Sequence, residues 1–233
     1  MDNFTQETIR FSEAKEWIFK LIGFLCSLLS LVFGVILVSS QYWRLWEFNN
    51  KSVQLVYIGL WEAYYNQEFN ISSSVIRIPV HSPVNSSWTI SPEFQYAQNL
   101  ILLATLINPV VLVFNSVIIR LTIIKASDLE IQMLCYKCCV YILVLSSFCT
   151  VLSVTWNHVV DLYGETTFDF PPNFPVRKED LIKKHHTHVF PIGVMTTILS
   201  LLAVITFLFE IRSLKLESNL KALNASKQVD QIV

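Results

Sequence analysis

Four apolar runs dominate the chain, at residues 17–38, 97–119, 138–156 and 189–209. Each is close to the roughly 20 residues that a helix needs to cross the hydrocarbon core of a bilayer at about 1.5 Å of rise per residue. Between the first two runs the pattern changes. Within residues 39–96, apolar and polar positions alternate over 42–48, 53–57 and 75–80, which predicts strands. Asn49-Asn50-Lys51 is a turn signal between the first two strands, and Pro79, Pro83, Pro92 and Asn85-Ser86-Ser87 interrupt the pattern further on. The other segments are polar: a tail at 1–16, a short loop at 120–137, a second long loop at 157–188 and a tail at 210–233. The expected fold class is an all-α membrane protein, four transmembrane helices with a small β-sheet in the first long loop.

Composition supports a membrane protein, since 53% of the residues are apolar and only 15% are charged. A net charge of −1 leaves no electrostatic footprint for nucleic acid, so none is expected as a partner. Phosphate-loop glycines and an His-Glu-x-x-His pattern are absent from the sequence. The first apolar run lacks a short basic segment before it, so it reads as an uncleaved signal-anchor. Of the 17 Lys and Arg, ten fall in the two tails, the middle loop and the start of the first run (Lys20), and seven fall in the two long loops. That bias puts both termini in the cytosol. It also puts outside all three Asn-x-Ser glycosylation acceptors of the first loop, Asn50, Asn70 and Asn85.

Several residues within and beside the spans are candidates for packing or chemistry. Gly23, Ser27, Ser30 and Gly34 recur every three or four residues on one helical face, where small side chains let a second helix approach. Asn108-Pro109 sits mid-span and predicts a kink, with Asn115 two turns further along the same face. Cys135, Cys138 and Cys139 are juxtamembrane and are candidates for palmitoylation, with inert thiols as the alternative. His158, His185, His186 and His188 lie in the second loop, and a solvated loop is expected there rather than a metal site. No catalytic constellation stands out, so no enzyme activity, catalytic residue, cofactor or metal is expected. Buried acids inside the spans would favour a small transporter, but the charges noted there, Lys20 and Glu210, both sit at span ends.

The stretch 41–65, QYWRLWEFNNKSVQLVYIGLWEAYY, carries Trp43, Trp46 and then Gly59-Leu60-Trp61 directly after the first span. This resembles the signature of the claudin family, in which a Trp and a Gly-Leu-Trp precede a pair of extracellular cysteines. The Trp-Arg-x-Trp opening and the Phe-Pro-Pro of the second loop resemble the divergent claudin-34-like branch most. The cysteine pair is missing: Tyr64 stands at the first position, and no Cys occurs between Cys26 and Cys135. Gln98 stands where an Arg is usual, and the chain ends Gln-Ile-Val233 rather than Tyr-Val. The resemblance implies a left-handed four-helix bundle capped by an extracellular sheet, residence in the plasma membrane at cell junctions, and association with claudin-type proteins in cis and in trans. It also implies structural adhesion with control of paracellular ion permeability, and weak PDZ scaffold docking through Val233. An auxiliary subunit of an ion channel is the alternative reading. Trp43 and Trp61 are expected to pack on one another or on the helix tops. Tyr64 is expected to share a strand with Trp61 and to replace the crosslink by pointing toward Ile78.

Overall fold

The structure is a computed structural model that describes residues 2–71, 74–124, 128–164 and 168–230; side chains are described from residue 17 onward, except at 70–75, 224–225 and 227–230. It is mostly helical, with four long helices, α1 Asp2–Ser39, α2 Pro92–Ile123, α3 Leu129–Tyr163 and α4 Val189–Asp230. All four are long and apolar enough to cross a membrane, over Trp17–Ser39, Pro92–Ile123, Leu129–Tyr163 and Val189–Leu223. A five-stranded antiparallel sheet consists of β1 Arg44–Phe48, β2 Leu55–Ile58, β3 Glu62–Ile71, β4 Ser74–Pro83 and, from the second long loop, β5 Leu181–His185. Its strand order is β4-β3-β2-β1-β5.

The helices outrun the apolar windows because polar residues with helix-start chemistry flank them. α2 begins at Pro92, where a fixed φ suits the first helical position and a missing N–H costs nothing. Ser91 precedes it, with its carbonyl accepting from Phe94 and Gln95, and Glu93 places negative charge in the first turn. α3 starts nine residues before its apolar run, with Asp128 accepting from the Gln132 N–H. α1 is already helical from Asp2, ahead of the span. α2 stays helical without a break across Pro109.

The chain divides into two compact units. One comprises Met1–Leu31, Leu106–Ser147 and Thr197–Val233. Its helices turn leucines outward at four-residue intervals (Leu21, Leu25 and Leu29), while small and polar residues face inward. Lipid tails are as apolar as leucine, so close backbone approach and polar pairing hold such helices together rather than burial of oil. Ser30 and Ser200 share a hydrogen bond of 2.6 Å, and Asn115 Nδ2 donates to Ser27 Oγ at 3.3 Å. Lys20, buried on α1, lies 4.0 Å from Glu210 on α4 and donates to Thr122 of α2 at 3.3 Å. Asn108 is buried, and its Oδ1 has no hydrogen-bond partner among the described residues.

The other unit comprises Val32–Thr105 and Phe148–Thr196. Its core joins the inward face of the sheet (Trp46, Phe48, Val56, Ile58, Ala63 and Tyr65) to Leu37, Phe94, Ile101 and Val154 of the helices. Phe168, Phe170 and Phe174 of the second loop fill the space between.

The stripe of small residues divides between neighbours. A Cβ at Gly23 would meet Phe207 Cε1 at 2.5 Å, whereas one at Gly34 would reach only Thr105 Oγ1, at 3.4 Å. Overpacking a tight contact costs about 1–3 kcal/mol. Gly23→Ala should therefore lower the unfolding temperature in detergent, read by tryptophan fluorescence, while Gly34→Ala leaves it close to wild type.

Candidate functional site

The base of the sheet begins at the C-terminal end of α1, where the last four carbonyls of a helix have no partner within it. Two indoles supply partners. Trp43 Nε1 donates to the Leu37 carbonyl at 2.8 Å and Trp61 Nε1 to that of Val38 at 3.0 Å. Trp43 is buried, while Trp61 remains 42% exposed. The expectation that both pack on a helix top holds, but Trp61 is no core residue, and it precedes β3 rather than belonging to it. Gly59 is required sterically, since a Cβ there would lie 2.8 Å from the Ser40 carbonyl oxygen and 3.1 Å from Gln41 Cα. Leu60 is fully buried, and its carbonyl accepts from Gln98 of α2 at 2.5 Å. Gly59, Leu60 and Trp61 thus fasten the β2–β3 turn to α1 and α2, and Trp43 fastens the start of β1 to α1.

Beside this turn lies a buried charge cluster. β1 alternates strictly, so Arg44, Trp46 and Phe48 all face inward. Arg44 is only 2% exposed. Its Nη2 donates to Asn157 Oδ1 at 2.9 Å and lies 3.5 Å from Glu93 Oε1, and its Nε is 3.6 Å from Asp161 Oδ1. The guanidinium carbon stands 4.9 Å from the ring centre of Phe94, 5.5 Å from Phe168 and 5.9 Å from Trp46. Trp46 Nε1 donates to the same Asp161 oxygen at 2.9 Å. Lys184 of β5 donates to the Asp161 carbonyl at 2.6 Å and lies 5.8 Å from the Trp46 ring centre. Asn157 and Asp161 are one turn apart on α3, which puts both on the face that meets β1.

Burial lowers the pKa of Arg44 from its ordinary value, and Asp161 and Glu93 oppose that shift. Burial likewise lowers that of Lys184, against the pull of Asp161. An arginine keeps its charge in proteins, so this is a compensated ion cluster in an aromatic cage. The cage continues through Trp88, whose ring centre is 4.9 Å from that of Phe174, and through Phe170 and Phe174, stacked at 4.7 Å. Thr89 and Asp169 exchange both backbone hydrogen bonds, which pins the second loop beneath the first.

The sequence presents Arg44 as one of several loop charges; the structure makes it the centre of the site. β5 also escapes the sequence reading, because Lys183, Lys184 and His185 lack an alternating pattern. Tyr64 differs from expectation in its partner. It faces His81 across the β3–β4 ladder, with ring centres 4.4 Å apart, rather than Ile78, which pairs with Gln67. Tyr64 also donates to Glu62 at 2.6 Å, a bond that raises its pKa. The inward member of the pair is Tyr65, nearly buried and 5.1 Å from Phe174.

The remaining candidates do not converge. His185 pairs with Glu47 at 2.8 Å, and His158 stacks on Phe190 at 4.5 Å, with His186 beside it. Among the described residues no group of His, Cys, Asp and Glu is placed to hold a metal ion. Cys135 and Cys139 are buried on α3, Cys139 donating to the Val111 carbonyl at 3.8 Å, and Cys138 alone of the three is partly exposed. Asn50 is half-buried, its Nδ2 donating to the Pro175 carbonyl at 3.0 Å, whereas Asn85 is exposed in a turn that its Oδ1 closes onto Ser87. Asn70 lies near the tip of β3, and its side chain is outside the described residues, as is Val233.

Compared with models of known protein families and with curated proteins, the chain matches none.

Removing one partner from a buried ion cluster leaves an uncompensated charge, at about 3–5 kcal/mol. Asp161→Ala should destabilise the protein by that order, and Trp46→Phe, which removes one hydrogen bond to a carboxylate, by about 1–3 kcal/mol. Denaturation in detergent checks both. Limited proteolysis of the first loop should accelerate far more in Tyr65→Ala than in Tyr64→Ala, because only Tyr65 fills the core.

Proposed function

We propose that this chain is a structural membrane protein of claudin type that works at contacts between cells. Both termini lie in the cytosol, and the five-stranded sheet stands outside the plasma membrane. The observation that carries the reading is the attachment of the sheet. Trp43 and Trp61 donate to carbonyls at the end of α1, Leu60 accepts from α2, and Gly59 leaves room for the turn to pass close to the chain leaving α1, so the family signature has a mechanical role here. A sheet so fixed transmits force from an adhesive surface to the membrane-spanning helices. A loop joined only by flexible linkers would not.

The topology draws on the bias of Lys and Arg and on the three acceptors of the first loop. The partners are other claudin-type chains, beside it in the same membrane and opposite it in the next. The solvent-facing side of the sheet carries Glu47, Glu62, Glu68, Arg77 and Lys183, and these are charges that passing ions would meet. Adhesion needs no disulfide in this reading, because Tyr64 and His81 pair across the open end of the β3–β4 hairpin at the position where the family carries its first cysteine.

Expression in fibroblasts without junctions of their own tests the function. Enrichment at borders between two expressing cells, with strands in freeze-fracture replicas, is the expected result. An even surface distribution without strands would point to a subunit of another complex and end the adhesion reading. Glycosidase digestion tests the topology separately. Asn85→Gln should remove one glycan, while Asn50→Gln should leave the mobility unchanged because that amide is engaged. Asn224, an acceptor in the tail, should carry none.

A further inference from the structure

We infer that a groove on the outward face of α2 binds an anionic phospholipid, with Arg120 holding the headgroup phosphate. The groove measures about 360 Å³ and is lined by Leu112, Val113, Ser116, Val117 and Arg120. Positions 112, 116 and 120 are one turn apart, as are 113 and 117, so the lining is a single helical stripe. Its upper part is apolar: Val113 and Val117 are exposed. Ser116 donates its hydroxyl to the Leu112 carbonyl at 2.8 Å, so it presents no free donor to the groove. The stripe therefore offers an apolar wall to an acyl chain, and Arg120 is its only charged group.

The placement of Arg120 is what calls for an anion. Its side chain is exposed, and among the described residues no carboxylate lies within ion-pair distance of it. Exposed apolar residues bracket it, Val113 and Val117 on one side and Ile123 and Ile124 on the other, the last two 64% and 63% exposed. Arg120 thus lies within the apolar stretch of α2, one turn from its end. An unpaired cation at that level is costly and is relieved by an anionic partner or by reaching to the interface. A phosphodiester fits, since the planar fork of arginine can engage two of its oxygens together.

Charge favours one class of lipid. A phosphatidylcholine carries its own cation above the phosphate, which repels a guanidinium, whereas phosphatidylglycerol or phosphatidylserine offers net negative charge. From Val113 to Arg120 the helix rises about 10 Å, which matches the upper part of an acyl chain. The contact follows from α2 alone. Its assignment to the cytosolic leaflet, where anionic lipids concentrate, rests on the topology proposed above.

Native mass spectrometry of the full chain, released from phosphatidylcholine bilayers that contain a minor fraction of phosphatidylglycerol, tests this. The wild type should retain phosphatidylglycerol in preference to phosphatidylcholine, and excess inorganic phosphate should not displace it. Arg120→Gln should weaken retention by about tenfold or more, as expected for a charged hydrogen bond. Val117→Trp, which fills the groove and leaves the charge in place, should weaken it as well. Arg212→Gln, which changes an exposed cation on another helix, should not. Equal retention of both lipids by the wild type, unchanged retention in Arg120→Gln, or a dimer that excludes lipid would overturn the proposal. Loss in Arg120→Gln without loss in Val117→Trp would overturn the groove. The detergent-released protein has no sidedness, so a wrong topology would leave this result intact and would show only in the glycosylation pattern.

Discussion

A guanidinium withdrawn from water at the root of β1 constrains everything built above it. Burying an unpaired charge costs several kcal/mol, so Arg44 can occupy its position only when Asn157, Glu93 and Asp161 are all in place. Those three residues come from two helices, α2 and α3, that lie 49 and 113 or more residues beyond Arg44 in the chain. The sheet is therefore not an independent module that rests on the helices. Its first strand is specified by them, and the aromatic rings around Arg44 add cation–π attraction while excluding water. A hydrophobic residue at position 44 could fill the space, but it would not demand this one arrangement of α2, α3 and β1.

The tryptophans solve a different problem. The end of α1 must stop being helical and become a strand within a few residues, and its orphaned carbonyls need donors. An indole has one N–H and no acceptor, so it can satisfy a carbonyl without bringing a new unmet need. Gly59 then allows the β2–β3 turn to cross the departing chain at a distance no side chain would tolerate. Cap, crossing and ion cluster hold three points of the same small area.

The spans were legible because membrane helices advertise themselves by length and composition alone. Helix ends were less so: Ser91-Pro92-Glu93 is a start signal, but it lies outside the apolar window that marks α2. The hairpin strands showed their alternation only in part, since β3 runs through Tyr64, Asn66 and Glu68 on its solvent side and carries no hydrophobic repeat strong enough to set its length. Arg44 could not be singled out. An arginine in a polar loop is usually solvated, and its burial depends on Asn157 and Asp161, whose proximity only the tertiary structure shows. The alternation of Arg44 with Trp46 and Phe48 was the one local hint. Tyr64 was placed correctly in β3 but with the wrong partner, because pairing depends on the length of the hairpin and a small error in that length shifts every opposite residue.

The separation of the groups around Arg44 along the chain also sets an order of assembly. Asn157 and Asp161 follow Arg44 by more than a hundred residues, and β5, which covers the other edge of β1, comes later still. As a ribosome delivers the chain, β1 to β4 and their hairpins are complete before either the counter-charges of α3 or the phenylalanines at 168–174 exist. The inner face of β1 must wait, with a cation matched only by Glu93 and with uncovered aromatic rings, until α3 and the second long loop have been made. The nascent protein thus passes through a stage in which the part that will be best buried is the most open, and the inner face of β1 is covered only once the second long loop exists.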